Sequence, residues 1–273
     1  MPEFLPEFER FSTFDIQSHP FVDQRLLAEG DSWFTIGGLP PRNLLQALRF
    51  RKSTLIVSAA LPGDTMRNMS QLANNHAYRT ALSDPSMQWD AILLSSGGND
   101  LADFAAALFR PKEFRRLDHP DDYEAYIVGR RVDLLLGRIK DGYKRMARMR
   151  DRSPGSSHAP IVTHTYDYVT PRDASALGRG PWFFPVFIDE DVPAAHWQPV
   201  AKLVLDKLAE AIVSLEHEIG NFHVVDTRGT LTPADLGSTG NSRDWLNEIH
   251  PNARGYAKLA KVVEAKLSSL GVG

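Results

Sequence analysis

The chain has 273 residues, 42% of them hydrophobic, a formal net charge of -3 and no cysteine. Such a length can bury the core of one large α/β domain, while the charge gives no electrostatic case for nucleic acid or an anionic membrane as partner. Without cysteine, disulfides, thiolate nucleophiles and cysteine-ligated metals are excluded.

The segment Met1-Pro2-Glu3-Phe4-Leu5-Pro6-Glu7 lacks the basic start and apolar stretch of an export signal, and no later segment has the length of a membrane span. A cytoplasmic chain without stable membrane insertion is the expectation, although a trimmed secreted chain would read the same way. Along the chain, apolar runs at 25–29, 54–60, 91–95, 161–165 and 223–226 read as buried strands. Helical patterns are expected at 41–50, 68–82, 122–150, 195–219 and 252–270. Because the strand runs are nearly continuous in apolar character rather than alternating, they suit a parallel sheet covered by helices on both faces. The expected fold class is a three-layer α/β/α sandwich with a five-stranded parallel sheet, forming a single domain over residues 1–273.

Within the third helical pattern, Leu134, Leu135 and Ile139 oppose Arg131, Arg138, Lys140, Lys144, Arg145 and Arg148. That basic face reads as a solvated helix surface rather than a polyanion groove. The stretch 151–160, with Ser153-Pro154-Gly155-Ser156-Ser157, reads as a loop into the fourth strand. The stretch 171–199 carries Pro181-Trp182-Phe183-Phe184-Pro185-Val186-Phe187 and is too long for a tight turn. It is either a lid or pocket wall, or a satellite hydrophobic cluster packed on the sheet.

Chemistry-bearing residues follow the predicted strands. Gly30-Asp31-Ser32-Trp33 places a hydroxyl at the carboxyl end of the first strand, where ligands bind in open α/β sheets. Leu61-Pro62-Gly63-Asp64-Thr65 follows the second strand, and Gly63 can offer an unobstructed backbone N–H. Ser95-Ser96-Gly97-Gly98-Asn99-Asp100 follows the third, where the Asn99 amide can donate to an oxygen at the sheet edge. Asn247-Glu248-Ile249-His250-Pro251-Asn252 sets a histidine before the last helix. A nucleophile, a base and oxyanion donors are the parts that acyl transfer to serine requires.

In this order, these four blocks resemble the SGNH hydrolase superfamily, the GDSL esterases and lipases. The resemblance implies a flavodoxin-like fold, with Ser32 as nucleophile, His250 as general base and then acid, and an oxyanion hole made by the Ser32 N–H, the Gly63 N–H and the Asn99 side chain. It implies no cofactor. Two departures stand out. Trp33 occupies a position where the family's common name has leucine, and Asn247 stands where members carry an aspartate three residues before the histidine. Asn247 is expected to take the aspartate's place, with Asp244 supplying the missing charge directly or through an intervening group; Glu248 is a further nearby carboxylate.

Trp33 is expected to line the substrate pocket, and Tyr166 either contacts substrate there or buries a hydroxyl satisfied by backbone, whereas Asp31 and Asp100 are expected to hold loop backbones. His217-Glu218-Ile219-Gly220-Asn221 falls short of the zinc helix pattern because Asn221 replaces the second histidine, so no metal is expected. Phosphate-binding glycine patterns are missing too. The expected function is cleavage of a small-molecule carboxylic ester through an acyl-serine, with small-to-medium acyl groups. The alternatives are an acyltransferase using the same intermediate and a non-catalytic binding protein with a degenerate triad.

Overall fold

The apolar runs form the centre of a six-stranded, wholly parallel sheet in the computed structural model, which describes residues 3–13, 19, 21–36, 43–71, 73, 75–175 and 178–273. The strands are β1 (Glu7–Arg10), β2 (Gln24–Gly30), β3 (Thr54–Ser58), β4 (Ala91–Ser95), β5 (Ile161–His164) and β6 (Phe222–Val225), in the spatial order β1-β3-β2-β4-β5-β6. Five correspond to the expected runs. The sixth, β1, is a charged, half-exposed edge strand beside β3; its Glu-Phe-Glu-Arg sequence has no apolar run to announce it, and charge suits an unprotected edge.

Without β1, the sheet has the flavodoxin strand order, and the direction of winding reverses between β2 and β4. Their carboxyl ends therefore flank the crevice where ligands bind in this class of sheet. Gly30 ends β2 opposite Ser95 of β4. A Cβ on Gly30 would lie 2.8 Å from the Ser95 Cβ and 2.9 Å from its carbonyl oxygen, so only glycine lets the two strand ends approach this closely.

Helices cover both faces: α1 (Leu44–Ala47), α2 (Met66–Met69), α3 (His76–Ser83), α4 (Gly98–Leu108), α5 (Gly129–Asp151), α6 (Phe184–Asp189), α7 (Trp197–Val213) and α8 (Ala253–Ser269). The inner face of α5 buries Val132, Leu135, Leu136, Ile139, Tyr143 and Met146, whereas Leu134 points outward and is exposed, against expectation. The expected helix 122–150 is interrupted: a 3-10 turn at Tyr123–Tyr126 is followed by Ile127, which bridges to Phe109 before α5 begins. The pattern at 68–82 divides into α2 and α3, with residues 72 and 74 outside the described residues, as are 41 and 42 of the first expected helix. The pattern at 195–219 becomes α7 followed by a 3-10 turn at Ser214–His217. Helix α4 was not expected; it starts inside the Gly-Asn-Asp block, from Gly97 at φ +111°. Among the described residues no helix is long and apolar enough to cross a membrane.

Candidate active site

Three chain segments converge at the carboxyl ends of β2 and β4. Ser32 opens a buried 3-10 turn directly after β2, capped by Asp31, whose side chain accepts the Trp33 N–H at 3.0 Å. His250 lies in the loop before α8, which Asn252 caps by accepting the Gly255 N–H. The His250 Nε2 is 2.8 Å from Ser32 Oγ, and its Nδ1 is 3.0 Å from Asn247 Oδ1.

The same Asn247 oxygen also accepts the backbone N–H groups of Ile249 at 3.0 Å and His250 at 2.8 Å. Two backbone donors aimed at one atom fix which end of the amide faces the ring, because the NH₂ end there would oppose two N–H groups. The imidazole must then carry its proton on Nδ1, leaving Nε2 free to accept from Ser32 Oγ–H. Asn247 thus selects the tautomer that a base toward serine requires, although it brings no charge. Its Nδ2 is buried without a partner. Burial, with no anion to offset it, pushes the His250 imidazole down to about 4, so the ring is neutral near pH 7.

Asp244 does not join this arrangement, which corrects the expectation that it supplies the missing charge. Its carboxylate accepts from the Arg254 guanidinium at 2.7 Å, the Thr232 N–H at 2.7 Å and the Lys258 ammonium. These partners hold it well below the usual carboxylate range despite its burial, at about 2. Six residues before His250, it anchors the loop to α8 and contacts neither Asn247 nor the imidazole.

Opposite His250, Asn99 lines the same cleft as Ser32 and donates one Nδ2 hydrogen to the Asp64 carbonyl at 2.8 Å, leaving the second free. That bond ties the amide to the turn holding Gly63, whose φ of +83° is a left-handed conformation. Among the described residues, neither the Ser32 nor the Gly63 backbone N–H is used in an intramolecular hydrogen bond. Asp100 accepts the Met66 N–H at 2.7 Å, holding the amino end of α2 to α4 as expected of it.

Beneath the serine lies a buried polar network. The Tyr166 hydroxyl donates to Asp31 Oδ2, and Ser95 Oγ sits between Asp31 Oδ1 at 2.8 Å and His164 Nε2 at 3.0 Å. Burial pushes the Asp31 carboxyl up to about 6, against the pull of the Tyr166, Trp33 and Ser95 donors. Trp33 and Tyr166 do line the cleft, together with Leu101, Val169, Phe183 and Leu205. Trp33 is also a brace: its indole donates to the Ile249 carbonyl at 3.0 Å, while its ring stacks on His164 at 5.4 Å. The cleft itself is small, about 30 Å³.

One residue of evident structural weight was not singled out in the sequence. Arg172 donates to the Asn247 carbonyl at 2.6 Å and to the Ser238 carbonyl and hydroxyl at 3.1 Å, bracing the histidine loop from behind. Trp182, in the aromatic insertion, meets the His250 ring edge-on at 5.5 Å. Glu248 holds that insertion in place: its carboxylate accepts the N–H groups of Trp182, Phe183 at 3.0 Å, Phe184 at 2.7 Å and Arg172 at 3.3 Å. No local spacing reveals these pairings, because the partners lie more than sixty residues apart. Among the described residues, no cluster of three or more histidine or carboxylate groups could hold a metal.

Residues 27–258 match the GDSL-like Lipase/Acylhydrolase family, a span that contains all four motif blocks. The chain belongs to this family. Among solved structures, a possible lipase from Chitinophaga pinensis DSM 2588 is similar at 12% identity with a TM-score of 0.51, covering 92% of this chain and 100% of that one. An extracellular lipase from Streptomyces rimosus shares 14% identity at a TM-score of 0.48, over 89% and 99% of the two chains. An aryl esterase from M. smegmatis likewise shares 14% identity at 0.48, over 90% and 99%. Likeness at such low identity concerns the fold alone. A search of curated proteins finds no sequence match. The span of this GDSL-like family match includes Ser32, Gly63, Asn99 and His250, with Asn247 three residues before the histidine.

Proposed function

We propose that the protein hydrolyses carboxylic esters of short acyl chains through an acyl-serine. The observation that carries this reading is the hydrogen-bonded series Ser32 Oγ, His250 imidazole, Asn247 Oδ1, with the tautomer fixed by two backbone donors. Ser32 Oγ attacks the ester carbonyl carbon as its proton passes to His250 Nε2. The developing oxyanion is met by the Ser32 and Gly63 N–H groups and the free hydrogen of Asn99 Nδ2. The C–O bond to the alcohol then breaks, and the imidazolium returns its proton to the departing oxygen. Water, deprotonated by His250, attacks the acyl carbon; the carboxylic acid leaves and Ser32 recovers its proton.

A short acyl group suits the site because the cleft beside Ser32 is narrow and walled by Leu101, Val169, Phe183 and Leu205. The test combines p-nitrophenyl acetate, butyrate and octanoate with a fluorophosphonate label, on wild type and Ser32→Ala. Turnover that falls with chain length, and labelling lost in Ser32→Ala, is the expected result. A wild type that neither hydrolyses acetate nor takes the label overturns the reading in favour of a binding protein.

A further inference from the structure

The basic face of α5 has a concave floor. A groove of about 420 Å³ runs between the carboxyl ends of α3 and α5 and the turn at Pro154, lined by the guanidinium-bearing Arg79, Arg145, Arg148 and Arg152 and floored by Leu82 and Met149. All four arginines are solvent-exposed, and among the described residues no carboxylate lines the groove.

Other cations of α5 are engaged within the fold. Lys140 and Lys144 both pair with Glu218 at 2.6 Å, and Arg150 is buried against the Ala159 carbonyl at 2.7 Å and the Asp151 carboxylate at 2.7 Å. Among the described residues, Arg79, Arg145, Arg148 and Arg152 make no ion pair or side-chain hydrogen bond. Of the acids nearby in sequence, Asp151 holds Arg150, whereas Asp84, which accepts from Ser86 at 2.6 Å, and Asp141, one turn before Arg145 in the adjoining groove, keep their charge but do not line this one. Two helix carboxyl ends face the same region, and at about half an elementary charge each they offset only about one of the four positive charges. Among the groups that line the concavity, about three positive charges remain inside a chain of net charge -3, which suits an anionic occupant.

The neighbouring groove restricts what that occupant can be. It is lined by Arg67, Arg138 and Arg145, but Asp100 and Asp141 line it too, so the carboxylate-free surface ends at Arg145. A long polyanion following α5 would run onto these acids. A planar lipid surface would not enter a concavity whose floor is apolar. We infer that the groove formed by Arg79, Arg145, Arg148 and Arg152 is a binding site for a compact organic polyphosphate of about three or four negative charges, such as a nucleoside triphosphate, its apolar part resting on Leu82 and Met149. Because β5 begins just after this turn, the site is at the opposite end of the sheet from Ser32, and occupancy does not require the hydrolase chemistry.

Titration calorimetry on the full chain at low salt, with ATP, pyrophosphate and inorganic phosphate as probes, tests this. ATP is expected to bind with a Kd below about 100 µM and phosphate far more weakly. Arg148→Glu and Arg152→Glu are each expected to weaken ATP at least tenfold, with Arg116→Glu, an exposed arginine outside the groove, leaving it unchanged; circular dichroism establishes that the variants are folded. Absence of ATP binding by wild type, equal weakening in Arg116→Glu, or adsorption to phosphatidylglycerol vesicles that ATP does not displace would each overturn the inference.

Discussion

Replacing Asn247 by aspartate isolates the one property that the asparagine lacks. The carboxylate would keep an oxygen in place for the three donors now converging on Oδ1, namely the N–H groups of Ile249 and His250 and the imidazole Nδ1–H. What changes is charge. Opposite unit charges about 4 Å apart attract by about 4 kcal/mol at an effective dielectric constant of about 20. Desolvation of the new carboxylate opposes this, since the place of Asn247 Nδ2 is buried and offers no partner. If about half survives, ~2 kcal/mol of imidazolium stabilisation raises kcat/KM about 30-fold near pH 7. It also moves the acidic limb up by about 1.5 units, from a wild-type position set by an imidazole at about 4.

The assay is the pH dependence of kcat/KM with p-nitrophenyl acetate, beside a melting curve. In a serine protease triad, aspartate to asparagine costs about 10⁴ in turnover, in part through the wrong tautomer. Here the tautomer is already correct, so the gain is expected to fall well short of that figure. A folded Asn247→Asp variant whose acidic limb stays at the wild-type position would refute the reasoning, because the charge would then not be felt at the ring.

Other perturbations separate support from chemistry. Asp244→Ala should lower the melting temperature by several degrees, through about 1–3 kcal/mol of lost anchoring to Arg254, Lys258 and Thr232; its pH–rate profile should match wild type, and a moved acidic limb would show coupling to His250. Trp33→Phe keeps an aromatic, though smaller, ring but removes the bond to the Ile249 carbonyl, so kcat/KM should fall about 3- to 10-fold with little change in KM; steady-state kinetics check the split. Glu29 is a buried carboxyl pushed up to about 8 by desolvation, against hydrogen bonds from Asn75 and Gly30 and beside Asp64. Its folded value exceeds the unfolded one, so its contribution is full below about 4.5 and is lost as pH rises through about 8, on the order of 5 kcal/mol in all. Glu29→Gln should therefore gain in melting temperature relative to wild type between pH 5 and 9; a constant difference across that range contradicts the assignment.

How much the sequence discloses depends on where the information sits. Strands β2 to β6 are legible because burial on both faces demands unbroken apolar runs, whereas β1, a short charged edge strand, needs no such run. Helix α4 escapes notice because Gly97 and Gly98 read as a turn, although the left-handed Gly97 serves as the cap from which the helix starts. The convergence of Ser32 and His250 follows from block order on a known topology. The place of Asn247 beside the imidazole follows from its spacing, but which end of its amide faces the ring does not; two backbone N–H groups in the folded loop decide it. Asp244 illustrates the opposite difficulty: a carboxylate six residues from a histidine invites pairing, yet the cations that claim it come from α8, ten and fourteen residues later. The indole bond of Trp33 spans 216 residues and has no local signature.

The way Glu248 grips the aromatic segment has a bearing on how this enzyme family could diversify. Its carboxylate holds Trp182, Phe183 and Phe184 through hydrogen bonds from their main-chain amides. Any residue but proline could stand at those positions and still be held. The rings that wall the cleft are thereby free to change one at a time, while the loop that carries both Glu248 and His250 stays put.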